Sequence, residues 1–116
     1  MSTLKTNTIK NTDDVEMYLA KAWVNFNGTG TVAIRAAGNV SSITDIAIGQ
    51  YTVNFINAMP DSNYSTIASA KHVANTGWDL TVTVGYPVNN TTTGGLVCAN
   101  NGSTSDADFV CVAFFR

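Results

Sequence analysis

Hydrophobic and polar residues alternate along most of this chain with a period of two, which is typical of β-strands that bury one face. In "QYTVNFI", Tyr51, Val53 and Phe55 fall on one face, and "WDLTVTVGY" alternates in the same way. Turn signals rich in Gly, Asn, Pro and Asp separate such runs at intervals of about 8–12 residues, the spacing of a sandwich or barrel. We therefore expect an all-β fold, an antiparallel β-sandwich-like domain.

The stretch "KAWVNFNGTGTVAIR", residues 21–35, predicts a hairpin. Val24 and Phe26 alternate with Trp23 and Asn25 in its first half. The Asn-Gly pair that follows is a strong hairpin signal, because both residues tolerate a positive φ.

The last predicted strand, "DFVCVAFF", is apolar on both faces. Such a strand is typically buried on both faces. That arrangement is difficult in a single sandwich of 116 residues, so we expect one face to meet another subunit. The two faces carry Phe109, Cys111, Ala113 and Phe115 on one side, and Val110, Val112 and Phe114 on the other.

The first 20 residues differ from the rest, because their opening part is rich in Thr and Asn and offers only Leu4 and Ile9 for burial. The following "DDVEMYLAKAW" fits a short helix capped by Asp13 or Asp14, or equally a strand. We expect residues 1–20 to form an extended arm that orders on partners, and residues 21–116 to form the β-sandwich domain.

Charged residues make up only 12% of the chain, against about 25% in typical soluble domains. The net charge is −2 and the six basic residues are scattered. Nucleic-acid footprints and polybasic membrane patches need clustered Lys and Arg, so neither partner is expected. There is no apolar run of about 18 residues and no apolar signal segment, which predicts synthesis in a cytoplasm without membrane insertion.

The residues that carry metal or redox chemistry are few. Cys98 and Cys111 fit two buried free thiols, or a disulfide between neighbouring C-terminal strands. The single histidine, His72, fits a surface position, or a three-histidine metal site on the axis of a trimer. Two cysteines and one histidine do not supply a metal site within one chain, so we expect neither metal nor cofactor.

No catalytic arrangement emerges from the sequence, and we expect a protein that is not an enzyme. No G-x-S-x-G motif occurs, and no two carboxylates are spaced to suggest the facing pair of a glycosidase. The aspartates in or near predicted turns fit turn-forming or solvated carboxylates. They are Asp45, Asp61, Asp79, Asp106 and Asp108.

The best candidate binding surface combines aromatic and amide side chains, because aromatic rings stack on sugars and amides hydrogen-bond hydroxyl groups. The alternative is that Trp78 belongs to the core and that the asparagines only turn the chain. Trp78 begins the predicted strand "WDLTVTVGY", and the other candidates lie in two polar loops, "GYPVNNTTTGG" and "NNGSTSDA", which we expect at the end of the domain away from the arm. The candidates are Trp78, Tyr86, Asn89, Asn90, Asn100 and Asn101.

Several stretches together resemble tail-fibre proteins of bacteriophages, especially those that infect marine and freshwater cyanobacteria. They are "LKTNTIKNT", "AKAWVNFNGTGTVAIRAAGNVSSITD", "GQYTVNFINAMPDSNYS" and "FVCVAFFR". The resemblance is strongest over residues 21–65 and weak over residues 72–107. Where such proteins have a Gly- and Asn-rich turn, this chain has the more apolar "IAIGQ", which predicts a packed turn.

The resemblance implies a homotrimeric β-structured appendage on the virion tail. It also implies an N-terminal segment that attaches to other tail or baseplate proteins, for which Leu4 and Ile9 are the candidates. The C-terminal domain is then expected to bind a glycan or outer-membrane component of the host during adsorption. Two alternatives stay open: a purely structural virion component, such as a baseplate, collar or head-decoration protein, and a free carbohydrate-binding module.

Overall fold

The structure is a computed structural model that describes residue 3 and residues 5–72, 80–86, 89–100 and 102–116. Its described part consists of strands, turns and extended segments, so the prediction of an all-β fold is confirmed. The strands are β1 (Ile9–Lys10), β2 (Glu16–Met17), β3 (Ala22–Asn27), β4 (Ala33–Gly38), β5 (Val40–Ala47), β6 (Gln50–Phe55), β7 (Ser65–Lys71), β8 (Thr81–Val84), β9 (Thr93–Asn100), β10 (Ser103–Thr104) and β11 (Phe109–Phe115).

Two antiparallel sheets form the domain. We call the four-stranded sheet with the order β4-β3-β11-β7 the first sheet. The second sheet has the order β10-β9-β6-β5, and β8 also pairs with β9. An isolated bridge between Ala70 and Leu80 links the sheets at one side. The chain passes between them at Asn39, whose φ of 56° lets β4 turn directly into β5.

Alternating residues of both sheets point into a shared core, as the period-two pattern predicts. Tyr51, Val53 and Phe55 on β6 are buried, while the residues between them are half-buried. Val24 and Phe26 on β3 are also buried. The apolar area that these faces remove from water is the main source of stability of such a domain. Phe55, Tyr64 and Phe114 form an edge-to-face aromatic cluster, with ring centroids 4.9–5.9 Å apart, at one end of the core.

The two faces of β11 have different environments. Val110, Val112 and Phe114 are in the core, whereas Phe109 and Cys111 on the opposite face are exposed. The expectation that both faces are buried therefore holds for one face within a single chain, and the other face stays open.

The N-terminal segment forms a separate two-stranded hairpin, β1–β2. Its turn is built by Asn11, whose side-chain oxygen accepts hydrogen bonds from the backbone N–H groups of Asp13 and Val15. Asp14 has a φ of 64° in this turn. The helical alternative for residues 13–22 is wrong, because the local Asn11 turn and the β2 and β3 pairings occupy this segment.

Two turns differ from expectation. The β3–β4 connection is a five-residue loop, residues 28–32, rather than a two-residue Asn-Gly turn. The positive φ falls at Gly30, and Asn27 accepts a hydrogen bond from the N–H of Thr29. The apolar β5–β6 turn is not packed: Ile46 and Ile48 are 46% and 65% exposed. The backbone of this turn does pack against the rest of the chain: a Cβ added at Gly49 would lie 2.7 Å from the backbone of Ser105.

Among the described residues, no helix is long and apolar enough to cross a membrane.

Candidate functional site

The sandwich has two ends. We call the arm end the one where Lys21 leads from the hairpin into β3, and the distal end the opposite one. The N–H of Lys21 donates to the carbonyl of Phe114, which places the arm beside the end of β11. Because neighbouring strands are antiparallel, this pairing determines the end at which every loop lies.

The described residues of the loop 85–92, residues 85, 86 and 89–92, lie at the arm end. The hydroxyl of Tyr64 contacts the carbonyl oxygens of Asn90 and Thr93 at 3.1 and 2.8 Å, and the rings of Tyr64 and Phe114 are 5.7 Å apart. The expectation that this loop lies away from the arm is therefore wrong. The physical reason is the direction of β9. It is antiparallel to β6, so it begins beside the end of β6, which is at the arm end.

Asn89 and Asn90 shape their own loop. The side-chain oxygen of Asn90 accepts hydrogen bonds from the backbone N–H groups of Thr92 and Thr93 at 2.9 and 2.8 Å. That of Asn89 accepts from the N–H of Gly95 at 3.2 Å. Such bonds are typical of asparagine in turns, so the alternative in which these residues turn the chain is the one that the geometry favours.

Tyr86 is half exposed. It lies at the arm end, because the N–H of the preceding residue, Gly85, donates to the carbonyl of Gly95 there. Asn100 closes β9 at the distal end, where it pairs with Ser103 across a turn that contains Gly102. The structure therefore separates these two candidates. Trp78, Asn101 and Leu4 lie outside the described residues. Ile9 is exposed on the hairpin.

The distal end is held together by Asp106. Its Oδ1 accepts hydrogen bonds from the N–H of Gly49 at 2.8 Å and from the hydroxyl of Tyr51 at 3.0 Å. Burial and the hydrogen bond to Asp106 raise the pKa of Tyr51 well above its usual range. Asp106 is thus neither solvated nor a simple turn residue, because it joins the segment before β11 to the β5–β6 turn.

A second polar cluster, which we call the Asp108 cluster, lies where the distal end meets the outer face of the first sheet. His72 Nδ1 is 3.2 Å from Asp108 Oδ2, and Arg35 donates to the Asp108 carbonyl at 2.7 Å. The guanidinium of Arg35 also lies 4.1 Å from the centre of the Phe109 ring, in a cation–π contact. Thr29 Oγ1 approaches Asp108 Oδ1 at 3.5 Å.

Among the described contacts of the Asp108 cluster, the hydroxyl of Thr29 approaches the carboxylate itself, whereas a catalytic triad needs a nucleophile beside the histidine and a carboxylate behind it. The sequence did not point to the contact between Arg35 and Asp108, which are 73 residues apart along the chain.

The thiols are free and lie in different environments. Cys98 is buried on the inner face of β9, where burial first and the negative charge of Asp106 second raise its pKa to about 11. Cys111 is exposed on the outer face of β11. The disulfide alternative is therefore wrong, and so is the expectation that both thiols are buried. In the part of the chain that the structure describes, no group of three potential ligands is arranged for a metal ion.

The outer face of the first sheet carries apolar side chains that the described part of the chain leaves open. Trp23 on β3 is 44% exposed and Ile67 on β7 is 65% exposed. Both pair with Ala113 of β11, on opposite sides of it. The indole of Trp23 lies over Gly38, where any side chain would collide with it.

No family model, no curated protein and no solved structure matches this chain.

Proposed function

We propose that this protein is a virion tail fibre, or a similar appendage, that attaches to a phage tail and binds the host cell surface for adsorption. The support from the sequence is the resemblance of residues 21–65 to phage tail fibres. The proposal includes a homotrimer, contact with other tail or baseplate proteins through the arm, and a host glycan or outer-membrane component as the receptor. No catalytic step is part of it.

The observation that carries the proposal is the separation of the arm from the distal loops by the whole length of the sandwich. β3 runs from Lys21 at the arm end to the residue 28–32 loop at the distal end. An appendage that is fixed at one end and binds at the other needs this division. The molecule is elongated along one axis, with extents of 45 × 29 × 28 Å.

The distal surface suits a weakly bound, hydroxyl-rich ligand. It offers the half-buried amide of Asn100, the exposed Gly30 and the exposed side chain of Ile48. The amide of Asn100 and the exposed backbone of Gly30 can make adaptable hydrogen bonds at low desolvation cost, and Ile48 adds an apolar contact. Loops carry such contacts while the scaffold beneath them stays fixed. Each contact is weak, and several copies on one particle add avidity.

The test compares two isoleucines with equal exposure at opposite ends. Ile48 at the distal end is 65% exposed and Ile56 at the arm end is 64% exposed, so an aspartate at either position should leave the fold intact. Particles that carry Ile48→Asp should adsorb to host cells at least about tenfold less well, since 1.4 kcal/mol of lost binding is tenfold. Particles that carry Ile56→Asp should adsorb normally, and both should contain normal amounts of the protein.

The second candidate function is a purely structural virion component. The open apolar face of the first sheet favours it, because large exposed apolar patches mark protein interfaces. Normal adsorption by Ile48→Asp particles in which the turn between Asn100 and Ser103 is also replaced would reject receptor binding. That result would favour the structural role.

A further inference from the structure

The β1–β2 hairpin carries an apolar face that the described part of the chain covers only in part. Met17 pairs with Ile9 across the hairpin, so the two side chains share a face. Val15 and Leu19 flank β2 at two residues on either side of Met17, the spacing at which extended chain places side chains on one face. The exposures of Ile9, Met17, Val15 and Leu19 are 38%, 48%, 55% and 61%.

A hairpin of this kind is not expected to be stable by itself. An isolated two-stranded hairpin is marginally stable at best in water. The hairpin overhangs a cavity of about 660 Å³ at the arm end, whose far side includes Ser65 and Phe115. Ile9, Met17 and Leu19 line this cavity too, yet they stay 38%, 48% and 61% exposed, so the arm end of the same chain leaves room for further cover.

The outer face of the first sheet carries a shallow trough whose width suits a two-stranded hairpin. One row of mostly small side chains crosses the four strands, with bulkier ones in a ridge on each side, and Arg35 reaches into this row because it donates to the Oδ1 of Asn25 at 3.2 Å. One ridge carries Trp23 and Ile67, and the other carries Phe109 and Lys71. The ridges are separated by four residues of β11, about 13 Å at the usual strand rise. The trough residues are Ala36, Asn25, Cys111 and Ser69.

The charges of the two surfaces are complementary. Between Lys10 and Met17 the hairpin carries the carboxylates of Asp13, Asp14 and Glu16 against the single amine of Lys10. Lys10 is already paired with Asp14 at 3.1 Å. The distal ridge of the trough carries the cations Arg35 and Lys71, and Asp108 is the acidic residue of that corner.

We propose that the apolar face of the β1–β2 hairpin of one copy docks into the trough on the first sheet of a second copy, with its acidic turn towards Arg35 and Lys71. This inference rests on the self-assembly part of the proposed function. The contact joins two different surfaces, so it is heterologous, and three copies can close into a ring. Ile9 then belongs to the contact between copies, and the residues before it are left for attachment.

The experiment uses the purified full chain and measures mass by sedimentation velocity across a concentration series. Met17→Asp impairs the hairpin and Ile67→Asp impairs the trough. Ile56→Asp is the matched control, because Ile56 and Ile67 are 64% and 65% exposed. Circular dichroism verifies that each variant is folded, and Leu19→Asp replaces Met17→Asp if the latter is not.

Wild type and Ile56→Asp should associate, whereas Met17→Asp and Ile67→Asp should each be monomeric. An equimolar mixture of Met17→Asp and Ile67→Asp should form a dimer, because one copy keeps an intact trough and the other an intact hairpin. A monomeric wild type, impaired variants that associate normally, or a mixture that stays monomeric would each overturn the proposal.

A charge reversal tests the direction of docking. Lys71→Glu should weaken association, and Asp13→Lys in the same chain should restore it. A double variant that associates no better than Lys71→Glu alone would contradict the proposed orientation. These measurements use purified protein without host cells. A negative result here therefore does not decide the adsorption test, and a negative adsorption test does not decide this proposal.

Discussion

The hydroxyl of Tyr51 lies 3.0 Å from the Oδ1 of Asp106 and 2.9 Å from the carbonyl oxygen of Gly28. Tyr51 is fully buried, and its ring meets that of Phe26 edge to face at 5.2 Å. One side chain thereby connects the β3–β4 loop, the β5–β6 turn and the segment before β11. Hydrogen bonds therefore join the segments that carry the distal loops.

Tyr51→Phe should destabilise the domain by about 1–3 kcal/mol, because it leaves buried polar groups without their partner. Urea denaturation at neutral pH measures the effect. Tyr86→Phe is the control, since Tyr86 is half exposed and surface changes usually stay within about 0.5 kcal/mol. Equal stability of the two variants would show that the Tyr51 hydroxyl does not hold the distal end together.

Gly49→Ala should destabilise the domain more than Gly30→Ala. Both glycines have a positive φ, 70° at Gly49 and 58° at Gly30, which costs a residue with a Cβ about 1–2 kcal/mol. At Gly49 the added Cβ would also lie 2.6 Å from the Cys98 carbonyl oxygen, whereas at Gly30 nothing lies within 4 Å. Thermal unfolding of both variants compares them, and an equal loss would contradict the close approach of the Gly49 backbone to Cys98.

The Arg116–Asp61 ion pair should contribute stability that acid removes. The hydrogen bond from Arg116 lowers the pKa of Asp61 from 3.8 to about 2. Because the folded pKa is below the unfolded one, the contribution is complete above about pH 4 and is lost as pH falls through about 2. Asp61→Asn should therefore be less stable than wild type at pH 6, and the difference should vanish near pH 2. A difference that persists at pH 2 would refute this linkage.

A chain that begins at Lys21 should keep its fold. The β1–β2 hairpin pairs only with itself among the described strands, and Lys21 retains the hydrogen bond to Phe114 that anchors the start of β3. Circular dichroism should show the same β-type spectrum with a small change in melting temperature. An unfolded product would mean that the arm belongs to the domain and that the boundary at residue 21 is misplaced.

The local pattern of the sequence predicts the strands well and their arrangement poorly. Alternation identifies β6 and β3 with their inward faces, because side-chain direction follows directly from the period of two. The end at which each loop lies depends on which strands pair. No local signal in "GYPVNNTTTGG" reveals that β9 starts opposite the end of β6.

The candidate site shows the same limit. Asn89 and Asn90 are suitable for binding by residue type, yet their side-chain oxygens bond neighbouring N–H groups of their own loop. The Asp108 cluster is assembled from Arg35 on β4, His72 directly after β7 and Asp108 directly before β11, which are far apart in the chain. Residue type alone therefore nominates polar loops, and only the fold shows which of them lie opposite the arm.

The central claim is that this protein is a tail appendage with its arm towards the particle and its distal loops towards the host. A density map of the assembled particle, with the sandwich fitted as a rigid body, tests it most directly. We expect the domain at an exposed position on the tail, with Lys21 towards the particle and Ile48 and Asn100 facing outward. Density for the domain on the capsid, or with its distal end buried against other virion proteins, would contradict the claim.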